Sequence, residues 1–133
     1  MTSLNGDDAS GARSSNLRGM RILLVEDSWQ LGMALKSLLR SFEAEVDGPV
    51  ATTTDAEHLI SAHVPDAAVV DINLRKGERS YGLIDKLIGQ GVPVIVTSGY
   101  SDLPMVPAKA HILEKPISEE KLIAILRSVT GTQ

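Results

Sequence analysis

The chain has 133 residues, of which 43% are hydrophobic, which suits a single domain with a buried core. Its formal net charge of −4 and the lack of a dense Lys/Arg cluster argue against direct nucleic-acid binding. Cysteine is absent, which excludes disulfides and thiolate metal sites. No apolar stretch is long enough to cross a bilayer and no secretory signal is visible, so we expect a cytoplasmic protein without membrane contact.

Residues 1–19 differ in composition from the rest of the chain, since they are mostly Ser, Gly, Asn, Asp, Arg and Ala. Such a segment cannot bury enough apolar surface to offset the entropy of ordering its backbone. We therefore predict a disordered N-terminal tail over 1–19 and a folded domain over 20–133. Met20 stands directly before the first apolar run, so an upstream start is an alternative explanation of the tail.

Short apolar runs alternate with segments of helical periodicity. The runs at 21–25, 66–70 and 92–96 are rich in Val and Ile and nearly uninterrupted, as is typical of strands covered on both faces in a parallel sheet. Between the last two strands, Pro104 and Pro107 leave room for at most one distorted helical turn. In chain order, we predict a strand at 21–25, a helix at 28–41, a strand at 44–50, a helix at 54–62, a strand at 66–70, a helix at 80–89, strands at 92–96 and 111–114, and a helix at 118–129.

The first predicted helix has a continuous apolar stripe, whose members recur at three- and four-residue steps. They are Leu31, Ala34, Leu35, Leu38, Leu39 and Phe42. The last helix begins at Ser118, whose hydroxyl can cap it, and its first turn contains carboxylates that complement the helix dipole. Both helices therefore have one face suited to packing on a sheet.

The alternation of strands and helices implies right-handed βαβ crossovers and an α/β, doubly wound sheet. In such sheets, ligands bind beyond the carboxyl ends of the strands. Residues with useful chemistry follow four of the predicted strands: Glu26 and Asp27 the first, Asp71 the third, Thr97 the fourth and Lys115 the fifth. The sequence therefore predicts one site at this edge of the sheet.

The chemistry of these residues suits phosphoryl transfer. Three carboxylates in one crevice repel one another, and without a cation at least one pKa would rise. A divalent ion such as Mg²⁺ prefers oxygen ligands and would relieve the repulsion. Asp71 is then the natural nucleophile, because carboxylates form aspartyl-phosphate intermediates. Lys115 would pair with the incoming phosphoryl charge, and the Thr97 hydroxyl would donate to one of its oxygens.

Each residue also has an ordinary structural interpretation. The acidic pair after the first strand could form a solvated turn that caps the next helix, and Asp71 could be a turn residue. Thr97 could simply suit the end of a strand, and Lys115 could be a surface charge before a proline. Taken singly, these interpretations are preferable. Together they require four coincidences at one end of one sheet, which favours a functional site.

The motifs around these residues resemble the receiver domains of bacterial two-component response regulators. The acidic pair lies in LLVEDS (23–28), Asp71 in VVDINL (69–74), Thr97 in VIVTSG (94–99) and Lys115 in LEKPI (113–117). The resemblance extends from about Arg21 to Val129. It implies a flavodoxin-like (βα)5 fold with a five-stranded parallel sheet in strand order 2-1-3-4-5. In this chain the prolines would leave the helix after the fourth strand short or distorted.

This resemblance assigns roles to individual residues at the acidic end. It implies that Asp71 is the phospho-acceptor and that Asp27 and Asp71 bind the metal ion directly. Asn73 would be a third ligand through its backbone carbonyl, and Glu26 would act through a water molecule. The implied cofactor is Mg²⁺, or Mn²⁺ in its place.

Further roles follow at the ends of the fourth and fifth strands. Thr97 and Ser98 would bind the phosphoryl group or act as switch residues beside Lys115. The peptide bond between Lys115 and Pro116 would be cis, an isomer that is otherwise uncommon. Ordinary receivers hold an aromatic residue three positions before this lysine, and it swings inward when the threonine moves. Here that position is Ile112, and an aliphatic side chain cannot report the switch by the same rotamer exchange.

Two longer segments narrow the subtype. DINLRKGERSYGLIDKL (71–87) and GVPVIVTSGYSDLP (91–104) resemble the single-domain receivers nicknamed FAT GUY, with Ile95 and Val96 in place of Phe and Ala. Because the aromatic switch residue is missing and prolines interrupt the following helix, we predict that output runs through a reorganised loop after the fourth strand. Tyr100 is the candidate moving group there, and the alternative is a semi-exposed packing residue.

The leading functional hypothesis is a stand-alone phospho-acceptor. It would take a phosphoryl group from a sensor histidine kinase or a histidine phosphotransfer protein onto Asp71, in a Mg-dependent reaction. It would then signal by protein–protein interaction, or act as a phosphorelay intermediate or phosphate sink. Such a receiver assists its own phosphorylation and dephosphorylation without being a conventional enzyme, and we expect a monomer or a phosphorylation-dependent dimer.

Two other functions fit less well. The alternative is a Mg-dependent phosphatase-type enzyme with an aspartate nucleophile, but such enzymes usually carry Asp-x-Asp on the first strand. Here the first-strand acids are adjacent, and position 73 is Asn. A nucleotide-binding protein would need a Gly-rich phosphate loop after the first strand, but this chain has acidic residues there.

Overall fold

The structure is a computed structural model, and it describes residues 17–99 and 106–129. Every predicted strand and each of the four continuous helices is present in these ranges. In chain order they are β1 (Arg21–Val25), α1 (Trp29–Ser41), β2 (Glu45–Val50), α2 (Thr53–Ala62), β3 (Ala67–Asp71), α3 (Tyr81–Gly89), β4 (Val94–Ser98), β5 (His111–Glu114) and α4 (Glu119–Val129). A single 3-10 turn, Arg75–Gly77, lies between β3 and α3.

All neighbouring strands are parallel, and the sheet order is β2-β1-β3-β4-β5, which confirms the predicted α/β, doubly wound fold. β3 and β4 end later than predicted, because the ladder between them continues to the pair Asp71 and Thr97. Beyond that pair, the Ile72 amide donates to the Thr97 carbonyl at 3.1 Å. Backbone pairing does not depend on side-chain polarity, so polar residues extend both strands.

The core consists of two apolar layers, one on each face of the sheet. α1 and α4 cover one face, where Leu24, Leu39 and Leu122 are buried. α2 and α3 cover the other face, where Leu23 and Ile84 are buried. Successive strand residues point to opposite faces, so the adjacent Leu23 and Leu24 belong to different layers. Coverage on both faces explains why the strands are continuous apolar runs in the sequence.

The folded domain begins before the predicted boundary at residue 20. Leu17 is fully buried and belongs to the layer that α1 and α4 cover. Its carbonyl accepts a hydrogen bond from the Met20 amide at 3.0 Å, and Arg18 forms an ion pair with Glu43. The last three residues of the predicted tail therefore belong to the domain, because Leu17 packs in the core.

α1 buries its apolar stripe with one change from the prediction. Leu35 and Leu39 are buried as expected, whereas Ala34 is exposed. Gly32 is buried in its place, and a Cβ at this position would lie 2.8 Å from the Cβ of Pro49 in β2. β2 therefore approaches α1 too closely for a larger residue, and the packed stripe passes through a glycine.

β2 contains a backbone conformation that favours glycine. Gly48 has a φ of +114°, and a Cβ at this position would collide with the carbonyl oxygen of Leu24. The register between β1 and β2 shifts at this point, as in a β-bulge. Directly after the bulge, the Val50 carbonyl accepts a hydrogen bond from the Glu26 amide at 2.9 Å. Gly48 thus helps to place the first residue after β1.

Replacing Gly48 by Ala is expected to lower the free energy of unfolding by about 3 kcal/mol, because the left-handed φ and the collision with Leu24 add to one another. Urea unfolding followed by circular dichroism measures the loss. The control is Gly82→Ala in α3, where nothing lies within 4 Å of an added Cβ and where alanine favours the helix. A Gly48→Ala protein as stable as the Gly82→Ala control would contradict this prediction.

The segment between β4 and β5 contains no α-helix in its described part. Residues 106–110 form turns, in which the Ala110 amide donates to the Pro107 carbonyl at 3.0 Å. This agrees with the short or distorted helix that the prolines predict. Tyr100, the predicted moving group, lies outside the described residues. Over 17–99 and 106–129, no helix has the length and apolar character needed to span a membrane.

Candidate functional site

Three carboxylates converge at the carboxyl edge of the sheet. Asp71 is the last residue of β3, and Glu26 and Asp27 follow β1 directly. One carboxylate oxygen from each residue lies within 4.8 Å of those of the other two. Glu26 and Asp71 are each only 3% exposed, and Asp27 is half-buried. The fold thus brings together acids that belong to separate strand ends, and we call these three residues the acidic cluster.

Lys115 reaches into the acidic cluster from the end of β5. Its Nζ lies 2.7 Å from Oδ2 of Asp71 and 3.4 Å from Oε1 of Glu26. The Lys115 amide donates to the Ser98 carbonyl at 2.9 Å, which ties the backbone to the end of β4. The following peptide bond, to Pro116, is cis. The ammonium therefore lies between two buried acids and offsets part of their mutual repulsion.

The two buried acids are oriented by the same local contact. Oε2 of Glu26 accepts a hydrogen bond from the Ser28 amide at 3.0 Å. Oδ1 of Asp71 accepts one from the Asn73 amide at 3.1 Å. In each case the amide two residues further on holds one carboxylate oxygen, and the other oxygen faces Lys115. The turn after each strand therefore fixes how its acid enters the cluster.

The ladder also decides which side chains share a face of the sheet with Asp71. Thr97 pairs with Asp71 in register and is 1% exposed, so both leave the sheet on the same face. Ser98 and Ile112 leave it on the opposite face. Ser98 is fully buried, and its Oγ has no hydrogen-bond partner among the described residues, whereas Ile112 is 42% exposed. The ladder therefore places Thr97, rather than Ser98, beside Asp71.

Burial and neighbouring charges shift two pKa values in this cluster. Burial raises the pKa of Glu26, the Ser28 amide opposes that effect, and the charge of Asp71 raises the pKa further. Burial lowers the pKa of Lys115, but its hydrogen bond to Asp71 and its charge pairing with Asp71 and Glu26 outweigh this, so its pKa is raised. The site therefore favours positive charge and resists the ionisation of Glu26.

In metal-free protein, the stability advantage of the wild type over Glu26→Gln is expected to fall as the pH rises. The folded-state pKa of Glu26 lies above its ordinary value of 4.5, so above that pH the folded protein binds more protons than the unfolded chain. The stabilising contribution of Glu26 is greatest below pH 4.5 and is lost as the pH rises through the folded-state pKa of Glu26. Urea unfolding across this range, in the presence of a chelator, measures it. An advantage that grows with pH would contradict the prediction.

The donor set of the acidic cluster fits a hard divalent cation. Oε1 of Glu26 is buried and accepts no hydrogen bond from the residues that the structure describes, although Lys115 lies 3.4 Å away. Carboxylate oxygens are the ligands that Mg²⁺ and Mn²⁺ prefer. Glu26, Asp27 and Asp71 are therefore the residues that would hold such an ion, and the turn at Asn73 adjoins them.

The structure adds two contacts that the sequence analysis did not predict. The Ser80 hydroxyl donates to the backbone carbonyl of Asp71 at 2.7 Å. The Glu78 carboxylate accepts hydrogen bonds from the amide and the hydroxyl of Thr53, at 3.2 Å and 2.5 Å. Ser80 stands at the first position of the helix predicted over 80–89, and nothing in the local pattern indicates a contact with Asp71.

Comparison with known proteins finds matches among solved structures but none among family models or curated proteins. No protein-family model matches this chain, and no curated protein matches it. Many solved structures do match its fold. Among them are the receiver domain of the PhyR response regulator from Erythrobacter litoralis, SdrG from Sphingomonas melonis, and a CheY-like response regulator receiver domain from Methylobacillus flagellatus.

These likenesses extend over most of each chain. The PhyR domain is 25% identical, with a TM-score of 0.75 over 87% of this chain and 93% of its own. SdrG is 29% identical, with a TM-score of 0.71 over 86% and 98%. The Methylobacillus domain is 28% identical, with a TM-score of 0.70 over 83% and 98%. The FAT GUY subtype stays a prediction. The fold of this chain matches that of CheY-like response regulator receiver domains.

Proposed function

We propose that this protein is a phospho-acceptor signalling domain in which Asp71 receives the phosphoryl group. The observation that carries the proposal is the contact of 2.7 Å between Asp71 and Lys115 inside the acidic cluster. A carboxylate held beside a fixed cation can attack phosphorus while the cation pairs with the incoming oxygens. The likeness to receiver domains supports the same role.

The phosphoryl donor would be a phosphohistidine on a sensor histidine kinase or a histidine phosphotransfer protein. A carboxylate oxygen of Asp71 attacks the phosphorus, the P–N bond breaks, and its electron pair leaves with the imidazole, which takes up a proton from solvent. The product is an aspartyl phosphate. Its later hydrolysis returns the carboxylate and inorganic phosphate. The domain would thus assist both its own phosphorylation and its own dephosphorylation.

Each residue of the site has a task in this reaction. The Asn73 amide holds Oδ1 of Asp71, while Oδ2 faces Lys115. Lys115 would move from the carboxylate to the phosphoryl oxygens as the new bond forms, and the Thr97 hydroxyl would donate to another of them. Asp27, Asp71 and the Asn73 carbonyl would hold Mg²⁺, with Glu26 acting through a water molecule. When bound, the ion supplies positive charge that offsets the charge on the phosphoryl oxygens.

The phosphorylated protein would act through contact with another protein, or pass its phosphoryl group on as a relay intermediate or sink. Position 112, where ordinary receivers hold the aromatic switch residue, is an exposed isoleucine in this chain. We therefore propose that output runs through the loop after β4. Sedimentation or light scattering of the phosphorylated protein would show whether it stays a monomer or forms a dimer.

Acetyl phosphate is expected to label the wild-type protein with one phosphoryl group when Mg²⁺ is present, and to leave it unlabelled when Mg²⁺ is chelated. The reason is that three carboxylates would repel a dianionic phosphoryl group unless a bound divalent cation offsets their negative charge. Intact-mass spectrometry measures the adduct. Equal labelling with and without the cation would contradict the proposal. Sustained release of phosphate with no labelled protein would favour the phosphatase-type alternative.

A further inference from the structure

Ser80 occupies the cap position of α3 but does not cap that helix. A serine in this position normally accepts a hydrogen bond from an amide of the first turn, and here its side chain makes no such bond. The residue is fully buried. Its hydroxyl donates to the Asp71 carbonyl at 2.7 Å and lies 3.4 Å from the Ile72 carbonyl. The side chain is thus turned away from its own helix, towards the backbone of the proposed acceptor.

This contact lies where β3 leaves the sheet. The Ile72 amide still bonds to β4, through the Thr97 carbonyl at 3.1 Å. The Ser80 amide donates to the Ile72 carbonyl at 3.0 Å, and the Ser80 hydroxyl donates to the carbonyl of Asp71. Ser80 therefore binds two consecutive residues at the strand end, and these bonds close the base of the loop over 72–80.

The loop that Ser80 closes makes further contacts, and it contains the amide that orients Asp71. Asn73 and Arg79 form an antiparallel bridge across the loop. The Glu78 carboxylate ties its far side to the Thr53 amide at the start of α2, at 3.2 Å. The Asn73 amide in turn donates to Oδ1 of Asp71 at 3.1 Å. A shift at the base of this loop would therefore move the group that holds the carboxylate.

We propose that Ser80 is a positioning residue for phosphoryl transfer. Its hydroxyl fixes the backbone at Asp71 and, through the Asn73 amide, sets the position of the carboxylate relative to Lys115. Without the hydroxyl, the Asp71 carbonyl loses this donor and the strand end relaxes. Misplacement of reacting groups by about 1 Å can cost on the order of 10²-fold in rate. The inference rests on the proposed function and adds to it a residue outside the acidic cluster.

The test compares Ser80→Ala with the wild type and with Ser41→Ala, labelled by acetyl phosphate and Mg²⁺. The Ser41 hydroxyl donates to the Leu38 carbonyl at 2.6 Å at the exposed end of α1, so this control removes the same kind of bond away from the site. Ser80→Ala is expected to lower the maximal labelling rate about tenfold, with little change in the half-saturating donor concentration. Ser41→Ala should label like the wild type.

A second readout separates positioning from a general loss of stability. In ¹⁵N-labelled protein, the Asn73 amide resonance is expected to move in Ser80→Ala and to stay in place in Ser41→Ala. A Ser80→Ala protein that labels at the wild-type rate would overturn the inference, and so would an unmoved Asn73 resonance. If Ser80→Ala does not fold, Ser80→Cys keeps the volume with a weaker donor, and the same two readouts decide.

Failure of the inference is distinct from failure of the proposed function. If the wild type labels and Ser80→Ala labels equally fast, the acceptor chemistry stands and Ser80 has no positioning role. If the wild type takes no label, the proposed function fails, and the inference about phosphoryl transfer fails with it.

Discussion

The Asp71→Asn protein is expected to take up no phosphoryl group from acetyl phosphate under conditions that label the wild type completely. The amide has nearly the shape of the carboxylate but cannot form an acyl phosphate, so the nucleophile is lost while the volume of the buried side chain is kept. Asp71 is 3% exposed and lies 2.7 Å from Lys115, so in the proposed reaction a phosphoryl group on Asp71 would lie beside that ammonium. Intact-mass spectrometry over a time course gives the labelled fraction.

The matched control is Asp85→Asn. Asp85 lies on the exposed side of α3, outside the acidic cluster, and its loss changes the net charge by the same amount. This control should label like the wild type. Labelling of the Asp71→Asn variant at the wild-type rate would show that another side chain is the acceptor, and peptide mapping would then be directed first at Asp27.

Lys115→Ala is expected to slow labelling by about 10²-fold, since the loss of one preorganised donor to a developing charge typically costs that much. The Lys115 ammonium lies 2.7 Å from Asp71 and 3.4 Å from Glu26, and it would otherwise pair with the phosphoryl oxygens. The free energy of unfolding should also fall, and more at neutral than at acidic pH, because two buried acids lose their cation.

Lys121→Ala in α4 is the control for a lost lysine, because that side chain is exposed and forms no part of the cluster. Its labelling rate should equal that of the wild type. Both variants are compared at saturating Mg²⁺, so that a weaker metal affinity does not mimic a slower transfer. A Lys115→Ala protein that labels as fast as Lys121→Ala would remove the lysine from the mechanism.

The positions of the strands followed from local patterns. β1 and β3 are nearly continuous apolar runs because helices cover both faces of the sheet, and such runs are visible without knowledge of their neighbours. The ends of β3 and β4 were less predictable, because a ladder can continue through polar residues such as Asp71 and Thr97. The burial of Leu17 was not predicted either, since a single leucine in a polar segment gives no periodic signal.

The contacts that shape the site were the least visible. The contact of Ser80 with the Asp71 carbonyl exists only because the loop between them returns to the strand end. Likewise, Gly32 is required because Pro49 lies against it, and neither residue indicates the other in the sequence. Both contacts depend on distances between segments that no local pattern encodes.

By itself, the sequence determined which segments form strands and helices and which strand ends carry Glu26, Asp27, Asp71 and Lys115, because hydrophobic periodicity and chain position are local properties. The tertiary structure alone decided that a carboxylate oxygen of Asp71 lies 2.7 Å from an ammonium, that Thr97 rather than Ser98 shares its face, and that Ser80 holds its backbone. Those relations arise from strand register and helix packing, which join residues far apart in the chain.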